Sequence, residues 1–192
     1  MSGDVIGPRW AEVRTYAVRR HEPFTSRPRF LFTFADIGTA GMRKWVALRE
    51  SHRRGISPLL SILDLKGAYV ETRLVQSGIG LDALGYSLAL EAGVGEKQAN
   101  NEHHAARLER IASGLSVQPP FPVDEWVKQS SDGYNGVKHA NRDMPDLLTM
   151  ANTLRENLLT FRLWVAGRLG VRPATLERNL PRDPQYGPYT LR

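Results

Sequence analysis

The sequence predicts a mainly α-helical protein: an antiparallel four-helix bundle preceded by a short mixed segment with one or two strands. Apolar residues recur at helical spacing through most of residues 70–171. Gly- and Pro-rich breaks divide that stretch into four segments, and a strand-like alternation occurs only before residue 36. Because the connections between the four segments are short, neighbouring helices are expected to run antiparallel.

The composition is that of a folded, basic protein without covalent cross-links. The 192 residues are 41% hydrophobic and 24% charged, enough for one ordinary domain with extensions. The absence of cysteine excludes disulfides and cysteine-bound metals. The net charge of +6 favours contact with polyanions without requiring it. With no apolar run of transmembrane length and no signal-peptide pattern, we expect a cytoplasmic protein with no membrane partner.

Residues 1–69 are predicted to form an N-terminal extension. Aromatic and other residues alternate in RFLFTFA, which predicts a strand at about residues 29–35 with its three phenylalanines on one side. A single strand is not stable alone, so it needs a partner within residues 5–20 or from a larger N-terminal domain.

A helix is predicted next, at about residues 40–54. Thr39 can cap its start and Gly55 can end it. The following apolar stretch, ISPLLSILDLKGAY, is interrupted by Pro58 and Gly67, so it is interpreted as a short helix or a covering loop.

The first bundle helix is predicted to be central and buried, because apolar residues occur nearly all round it. Each glycine inside it costs about 1 kcal/mol relative to alanine, which close approach of a neighbouring helix would offset. The row that carries these glycines repeats at alternating four- and three-residue steps: Leu74, Gly78, Leu81, Gly85, Leu88 and Ala92.

Three more helices follow. EKQANNEHHAARLERIASGL predicts a polar second helix, and QPPFP predicts a break before the third. The third begins near Pro122 and the fourth at Asp146. The fourth helix has the most regular apolar spacing, and Gly170 ends it. Residues 172–192, rich in proline, are predicted to be an extended C-terminal tail.

The candidate site lies on the third helix, in the stretch YNGVKHANR. Asn135, Lys138, His139 and Arg142 are separated by three- and four-residue steps, so a continuous helix would carry them on one stripe. Two cations beside the histidine disfavour its protonated form, which suits a base near neutral pH, and the asparagine could fix its tautomer. The stripe predicts a site for an anionic ligand such as an RNA phosphate; the alternative is a solvated helix face.

Other polar residues are weaker candidates. Asp82 either meets the site as a polar junction or faces solvent. His103 and His104 are adjacent, so a regular helix directs them about 100° apart and they cannot share a metal. The chain contains no phosphate-binding loop, zinc-protease or serine-hydrolase motif, and no cofactor or metal is expected.

Three features together resemble the HEPN superfamily, specifically the ApeA-like HEPN domains of bacterial anti-phage defence proteins. They are ETRLVQSGIGLDALGY opening the bundle, YNGVKHANR closing the third helix, and the long fourth helix. The resemblance covers residues 70 to about 171. The segment FTFADIGTAGMRKWVALRE looks like the junction between such domains and an N-terminal β-rich domain. This implies either the C-terminal half of a longer architecture, with residues 1–35 derived from a larger N-terminal domain, or a natural short relative.

The resemblance implies a homodimeric, metal-independent endoribonuclease that acts on RNA such as tRNA. Active members use an arginine, four to six residues and then a histidine; here His139 would be that histidine and Asn135 the polar position. Lys138 or Arg142 would stabilise the phosphorane. The residues five to seven positions before His139 are Tyr134, Gly133 and Asp132, so the motif arginine is absent. The alternative is therefore a catalytically inactive HEPN module used for dimerisation or sensing, and a DNA-binding helical protein is disfavoured by the lack of helix-turn-helix spacing.

Overall fold

The protein is mainly helical, as predicted. The computed structural model describes residues 18–20, 30–65 and 67–191, which contain eight α-helices, one 3-10 turn and two short strands. The helices are α1 (Phe34–Ser51), α2 (Arg53–Ser61), α3 (Val70–Glu91), α4 (Glu96–Asn101), α5 (His104–Ser113), α6 (Val123–Lys138), α7 (Leu147–Leu169) and α8 (Pro173–Asn179). The strands are β1 (Val18–Arg20) and β2 (Tyr189–Leu191).

The helix α3 is central, which confirms the prediction from its sequence. It packs against α2, α5, α6 and α7, and Leu74, Leu81 and Leu84 on it are fully buried. The bulkiest buried side chains of the core are Trp126 from α6 and Trp164 from α7. Burying two indoles and these leucines removes a large apolar area from water, which is the main source of stability.

The glycines of α3 allow the close helix approach that the sequence predicted. A Cβ atom at Gly85 would lie 2.8 Å from the carbonyl oxygen of Arg107 on α5. On the other side, a Cβ at Gly80 would lie 2.9 Å from the carbonyl oxygen of Gly55 on α2. A Cβ at Gly55 would in turn lie 2.8 Å from the Cα of Leu84. The helices α2 and α5 are therefore seated directly against the backbone of α3.

A buried polar network joins α3, α6 and α7. The Asn157 side-chain oxygen accepts hydrogen bonds from Trp126 Nε1 at 2.9 Å and from the Ser130 hydroxyl at 2.8 Å. Its amide nitrogen donates to the Ser77 hydroxyl at 2.9 Å, and Ser77 donates to the Leu74 carbonyl. Because buried polar groups are costly unless paired, this network fixes the register of the three helices.

The predicted strand at residues 29–35 is wrong. Residues 30–33 have no regular structure, and α1 begins at Phe34. The buried residue is Leu31, which packs against α7 and α8, and its carbonyl accepts a hydrogen bond from Asn179. Phe30 and Phe34 are 77% and 63% exposed, so the apolar alternation does not correspond to a buried strand face.

The predicted helix at residues 40–54 is longer and is divided. Its start is set by Thr33 rather than Thr39, because Thr33 donates backbone and hydroxyl hydrogen bonds to the Asp36 carboxylate. Gly38 then kinks α1 with a φ of +56°, and His52 separates α1 from α2. Leu48 of α1 and Ile56 and Leu59 of α2 lie in the same core as α3 and α7, so α1 and α2 continue the helical core across the predicted boundary at residue 69.

The predicted extended tail is also wrong. Residues 173–182 form α8 and the 3-10 turn, because Pro173 suits the first turn of a helix and Leu176 and Leu180 are buried against α7. Beyond them, Arg162 on α7 pairs with the buried Asp183 carboxylate. The strand β2 then pairs antiparallel with β1, and Asn152 on α7 bonds both backbone groups of Tyr189.

The predicted second helix is two helices, α4 and α5. Glu102 and His103 between them have extended backbone angles. Arg110 on α5 spans this break and binds the Glu102 carboxylate through both terminal nitrogens. These two contacts lower the pKa of Glu102 and stabilise the corner.

Candidate functional site

The four predicted site residues do not share one helical stripe, so that prediction is wrong. Asn135 and Lys138 lie in the last turn of α6. His139 ends the helix with extended backbone angles, φ −120° and ψ 111°. Arg142 lies three residues further on, in the connection to α7, and its backbone N–H donates to the His139 carbonyl at 3.0 Å.

The helix ends here because the α6–α7 connection turns back over it. A Cβ at Gly136 would lie 2.5 Å from the carbonyl oxygen of Asp143, so only glycine permits this return. Pro145 touches the same point, and Asp146 caps α7 by accepting hydrogen bonds from the backbone N–H groups of Leu148 and Thr149. Gly136 therefore admits the backbone of this chain itself.

The side chains at this end of α6 point into solvent. Lys138, His139 and Arg142 are exposed and Asn135 is half-buried. Among residues 18–20, 30–65 and 67–191, none of the four forms a side-chain hydrogen bond or ion pair, although the Lys138 ammonium lies 5.1 Å from the centre of the Tyr134 ring. These groups can contact a phosphate, but no other residue in the described part of the chain orients the imidazole for proton transfer.

Asp82 does not contact the end of α6, contrary to the polar-junction prediction. Its carboxylate accepts a hydrogen bond from His104 Nδ1 at 3.0 Å and pairs with the guanidinium of Arg107. Burial raises the pKa of Asp82, but His104 and Arg107 outweigh it and hold that pKa below its usual range. The other face of His104 stacks on Tyr134, with ring centroids 4.7 Å apart.

A polar cavity that the sequence did not predict lies beside Asp82. Its volume is about 600 Å³, and it is enclosed by the α1–α2 junction, the middle of α3 and α4. Its lining combines cations, carboxylates and neutral polar groups, among them Glu50, His52, Arg53, Arg54, Asp82, Tyr86, Ser87, Glu96, Asn100 and Arg107. The volume is within the range typical of small-molecule sites.

His52 forms a fixed part of the cavity wall. It is 5% exposed, its Nδ1 lies 2.8 Å from the Ser87 hydroxyl, and its ring packs edge-on against Trp164. Because Ser87 donates its proton to the Leu84 carbonyl, His52 Nδ1 is assigned as the donor to Ser87. Burial lowers the pKa of His52 despite the nearby Glu91, so the ring is neutral at pH 7. This pair supports the wall and does not activate a serine nucleophile.

The three arginines of the cavity differ in their partners. Arg107 is held by Asp82 and by the carbonyl of Ala99, at 2.9 Å, so its position is fixed. Arg53 and Arg54, at the start of α2, are exposed and form no ion pair within the described part of the chain. Arg53 and Arg54 were not predicted as site residues, because the sequence does not show that the α1–α2 junction faces α3. The available signal was the presence of two adjacent arginines before Gly55.

The described residues contain neither a metal-ligating cluster nor a membrane-spanning helix. In residues 18–20, 30–65 and 67–191, no three histidine or carboxylate side chains are grouped so as to hold a metal ion. Of the helices formed by the same residues, none combines the length and the apolarity needed to cross a bilayer.

Comparison with known proteins gives no family assignment. No protein-family model matches the chain, and no curated protein or solved structure is significantly similar to it.

Proposed function

We propose that the chain is a HEPN-like module of an anti-phage defence system, which binds RNA as a homodimer and does not cleave it. In this proposal α3, α5, α6 and α7 correspond to the antiparallel four-helix bundle, and α1 and α2 extend it. Support comes from the helical fold, in which α3 is packed between those helices and α2. The resemblance of the sequence patterns to ApeA-like domains adds to it.

The observation that carries RNA binding is the exposed basic end of α6. Lys138 and Arg142 extend into solvent without an ion pair to any described residue, and His139 lies between them. Phosphate oxygens can replace water around such cations at little desolvation cost, and the net charge of +6 adds long-range attraction.

The absence of cleavage is inferred from the same residues. No arginine precedes His139 at the motif spacing, and no described side chain orients its imidazole. General acid–base catalysis needs such a group within hydrogen-bonding reach of its proton partner. The proposed role of the cluster is therefore to hold the RNA backbone.

The second candidate is the metal-independent endoribonuclease, and one observation favours it. His139 is exposed rather than packed, so a second copy of the chain could approach it and supply the missing cation. In that arrangement His139 would act on the ribose 2′-hydroxyl, and Lys138 or Arg142 of the two chains would stabilise the phosphorane.

Fluorescence anisotropy with labelled tRNA tests the proposal. The double variant Lys138→Ala/Arg142→Ala removes two phosphate contacts, and we expect about tenfold weaker binding and a smaller salt dependence. The matched control is Arg172→Ala/Arg178→Ala, which removes two exposed arginines of the C-terminal region and should bind like the wild type. Equal affinity of the two double variants would contradict RNA binding through this end of α6.

Incubation with total tRNA in EDTA separates the two candidates. The non-cleaving module leaves the RNA intact in both the wild type and His139→Ala. Cleavage by the wild type that is lost in His139→Ala would establish the ribonuclease instead. Sedimentation equilibrium of the same samples tests the homodimer, since a strictly monomeric wild type excludes both dimeric arrangements.

A further inference from the structure

The polar cavity has rigid walls. The helix α2 is seated on α3 through Gly55, where a Cβ would lie 2.8 Å from three atoms of Leu84. His52 is held by Ser87 and Trp164, and Arg107 by Asp82 and Ala99. A cavity of about 600 Å³ with side chains fixed in this way is already formed before a ligand enters.

One side of the cavity suits a phosphate. Arg53 and Arg54 both line it, and neither lies within ion-pair distance of the carboxylates of Glu50 or Glu96, which line it too. By contrast, Arg107 and Arg110 on the neighbouring α5 each bind a carboxylate. Two adjacent guanidinium groups without a partner among the described residues present the planar donors that bind phosphate oxygens most effectively.

Other residues of the lining suit a nucleobase. Tyr86 lines the cavity, and the Arg107 guanidinium lies over its ring at 5.6 Å, which supports the ring from one side. Asn100 offers both a donor and an acceptor, and the carboxylates of Glu50 and Glu96 can accept hydrogen bonds from an exocyclic amino group. The lining thus contains groups for an anion, for a flat ring and for amino protons within one site.

We propose that this cavity binds a purine nucleoside monophosphate, with the phosphate on Arg53 and Arg54 and the base against Tyr86. The ligand is either a free nucleotide or the 5′-phosphorylated end of an RNA strand, which present the same chemistry. The site is distinct from the end of α6, because the cavity lining contains none of the residues Asn135, Lys138, His139 and Arg142.

Isothermal titration calorimetry with AMP and GMP tests the proposal on the full chain. We expect saturable binding of one nucleotide per chain, with adenosine and inorganic phosphate each binding at least about tenfold more weakly. Arg53→Ala/Arg54→Ala should weaken binding by about tenfold or more, because both phosphate partners are lost. Ala83→Trp, which places an indole in the cavity, should abolish binding.

The controls keep the result independent of folding and of RNA binding at α6. Arg172→Ala/Arg178→Ala and Lys138→Ala/Arg142→Ala should both bind AMP like the wild type, and circular dichroism should give the same spectrum for every variant. Competition by a 5′-phosphorylated oligoribonucleotide, but not by its 5′-hydroxyl form, would identify the RNA end as the source. Absence of AMP and GMP binding, or unchanged affinity in Arg53→Ala/Arg54→Ala, overturns the proposal.

Discussion

Two polar clusters, one between α3, α6 and α7 and one at the end of α6, have opposite surroundings. The first is centred on Asn157, which is completely buried with Ser77 and Ser130, and every one of its side-chain hydrogen-bonding atoms has a protein partner. The second comprises Lys138, His139 and Arg142, which are exposed and make no side-chain hydrogen bond to the described residues.

The difference separates residues that serve the fold from residues that are available to a ligand. A buried asparagine is tolerated because its partners are supplied by the protein, so its role is complete within the chain. Exposed cations without partners add nothing measurable to stability, and their interaction energy remains available for binding. The two clusters should therefore respond to substitution in opposite ways.

The largest expected effect is on stability, from Asn157→Ala. The substitution leaves Trp126 Nε1 and the hydroxyls of Ser77 and Ser130 without their buried partner and also creates a cavity. We expect the free energy of unfolding to fall by about 4 kcal/mol, measured by urea denaturation followed by circular dichroism.

The matched substitution in the exposed cluster is His139→Ala. It removes a solvated ring, so the free energy of unfolding should change by less than about 0.5 kcal/mol. Similar losses for Asn157→Ala and His139→Ala would remove the distinction between the two clusters.

A second prediction tests whether close helix packing, as well as hydrogen bonding, determines the stability of the buried core. In Gly85→Ala the new methyl group would lie 2.8 Å from the carbonyl oxygen of Arg107, so α5 has to move away from α3. We expect a loss of about 2 kcal/mol in the free energy of unfolding, measured by urea denaturation.

Gly167→Ala provides the control for Gly85→Ala within another buried helix. The nearest atom to its methyl group would be the Ser116 hydroxyl oxygen, at 3.3 Å, which can rotate away, and the other Ser116 atoms lie at 3.7 Å or more. The higher helix propensity of alanine should then leave the protein as stable as the wild type or up to about 1 kcal/mol more stable. A neutral Gly85→Ala would show that α5 is not seated against the α3 backbone.

The parts of the fold that were predicted correctly are those encoded by local periodicity. The burial of α3 follows from apolar residues on all its sides, and the close approach of α5 follows from the cost of Gly85 in a helix. The predictions fail where contacts with residues distant in the sequence determine the local structure. Leu31 is buried by α7 and α8, whose Asn179 binds its carbonyl, and the alternating phenylalanines contain no information about that contact.

The candidate site was predicted as a set of residue types but not as a geometry. The stripe containing His139 assumed a continuous helix, and the helix ends because the later residue Asp143 returns over Gly136. The polar cavity could not be predicted for a similar reason. It forms where the α1–α2 junction, at His52, meets Ser87 of α3, and these residues lie 35 positions apart. Spacing within one segment cannot show which segments meet.

A third prediction extends the comparison to a buried carboxylate whose desolvation cost is only partly offset by its hydrogen-bond partner. Glu156, next to Asn157, has a side chain that is 11% exposed, and one of its oxygens is bonded to Arg155 at 2.6 Å. Burial raises the pKa of Glu156 to about 7, although Arg155 opposes the shift. Both side-chain polar atoms of Asn157 have hydrogen-bond partners. For ionised Glu156, by contrast, the contact with Arg155 offsets only part of the free-energy cost of burying the charge.

The sign of the pH dependence follows from that pKa. The folded state holds the Glu156 proton more tightly than the unfolded state, so this group favours folding at low pH and the contribution is lost as the pH rises through about 7. Between about pH 5 and pH 8, the stability of the wild type relative to Glu156→Gln should fall by about 2 kcal/mol. The measurement is urea denaturation of both proteins at each pH, and the exposed-carboxylate control Glu109→Gln should run parallel to the wild type. If Glu156→Gln also runs parallel to the wild type, Arg155 fully compensates the buried carboxylate, and Glu156 belongs with Asn157 among the satisfied groups.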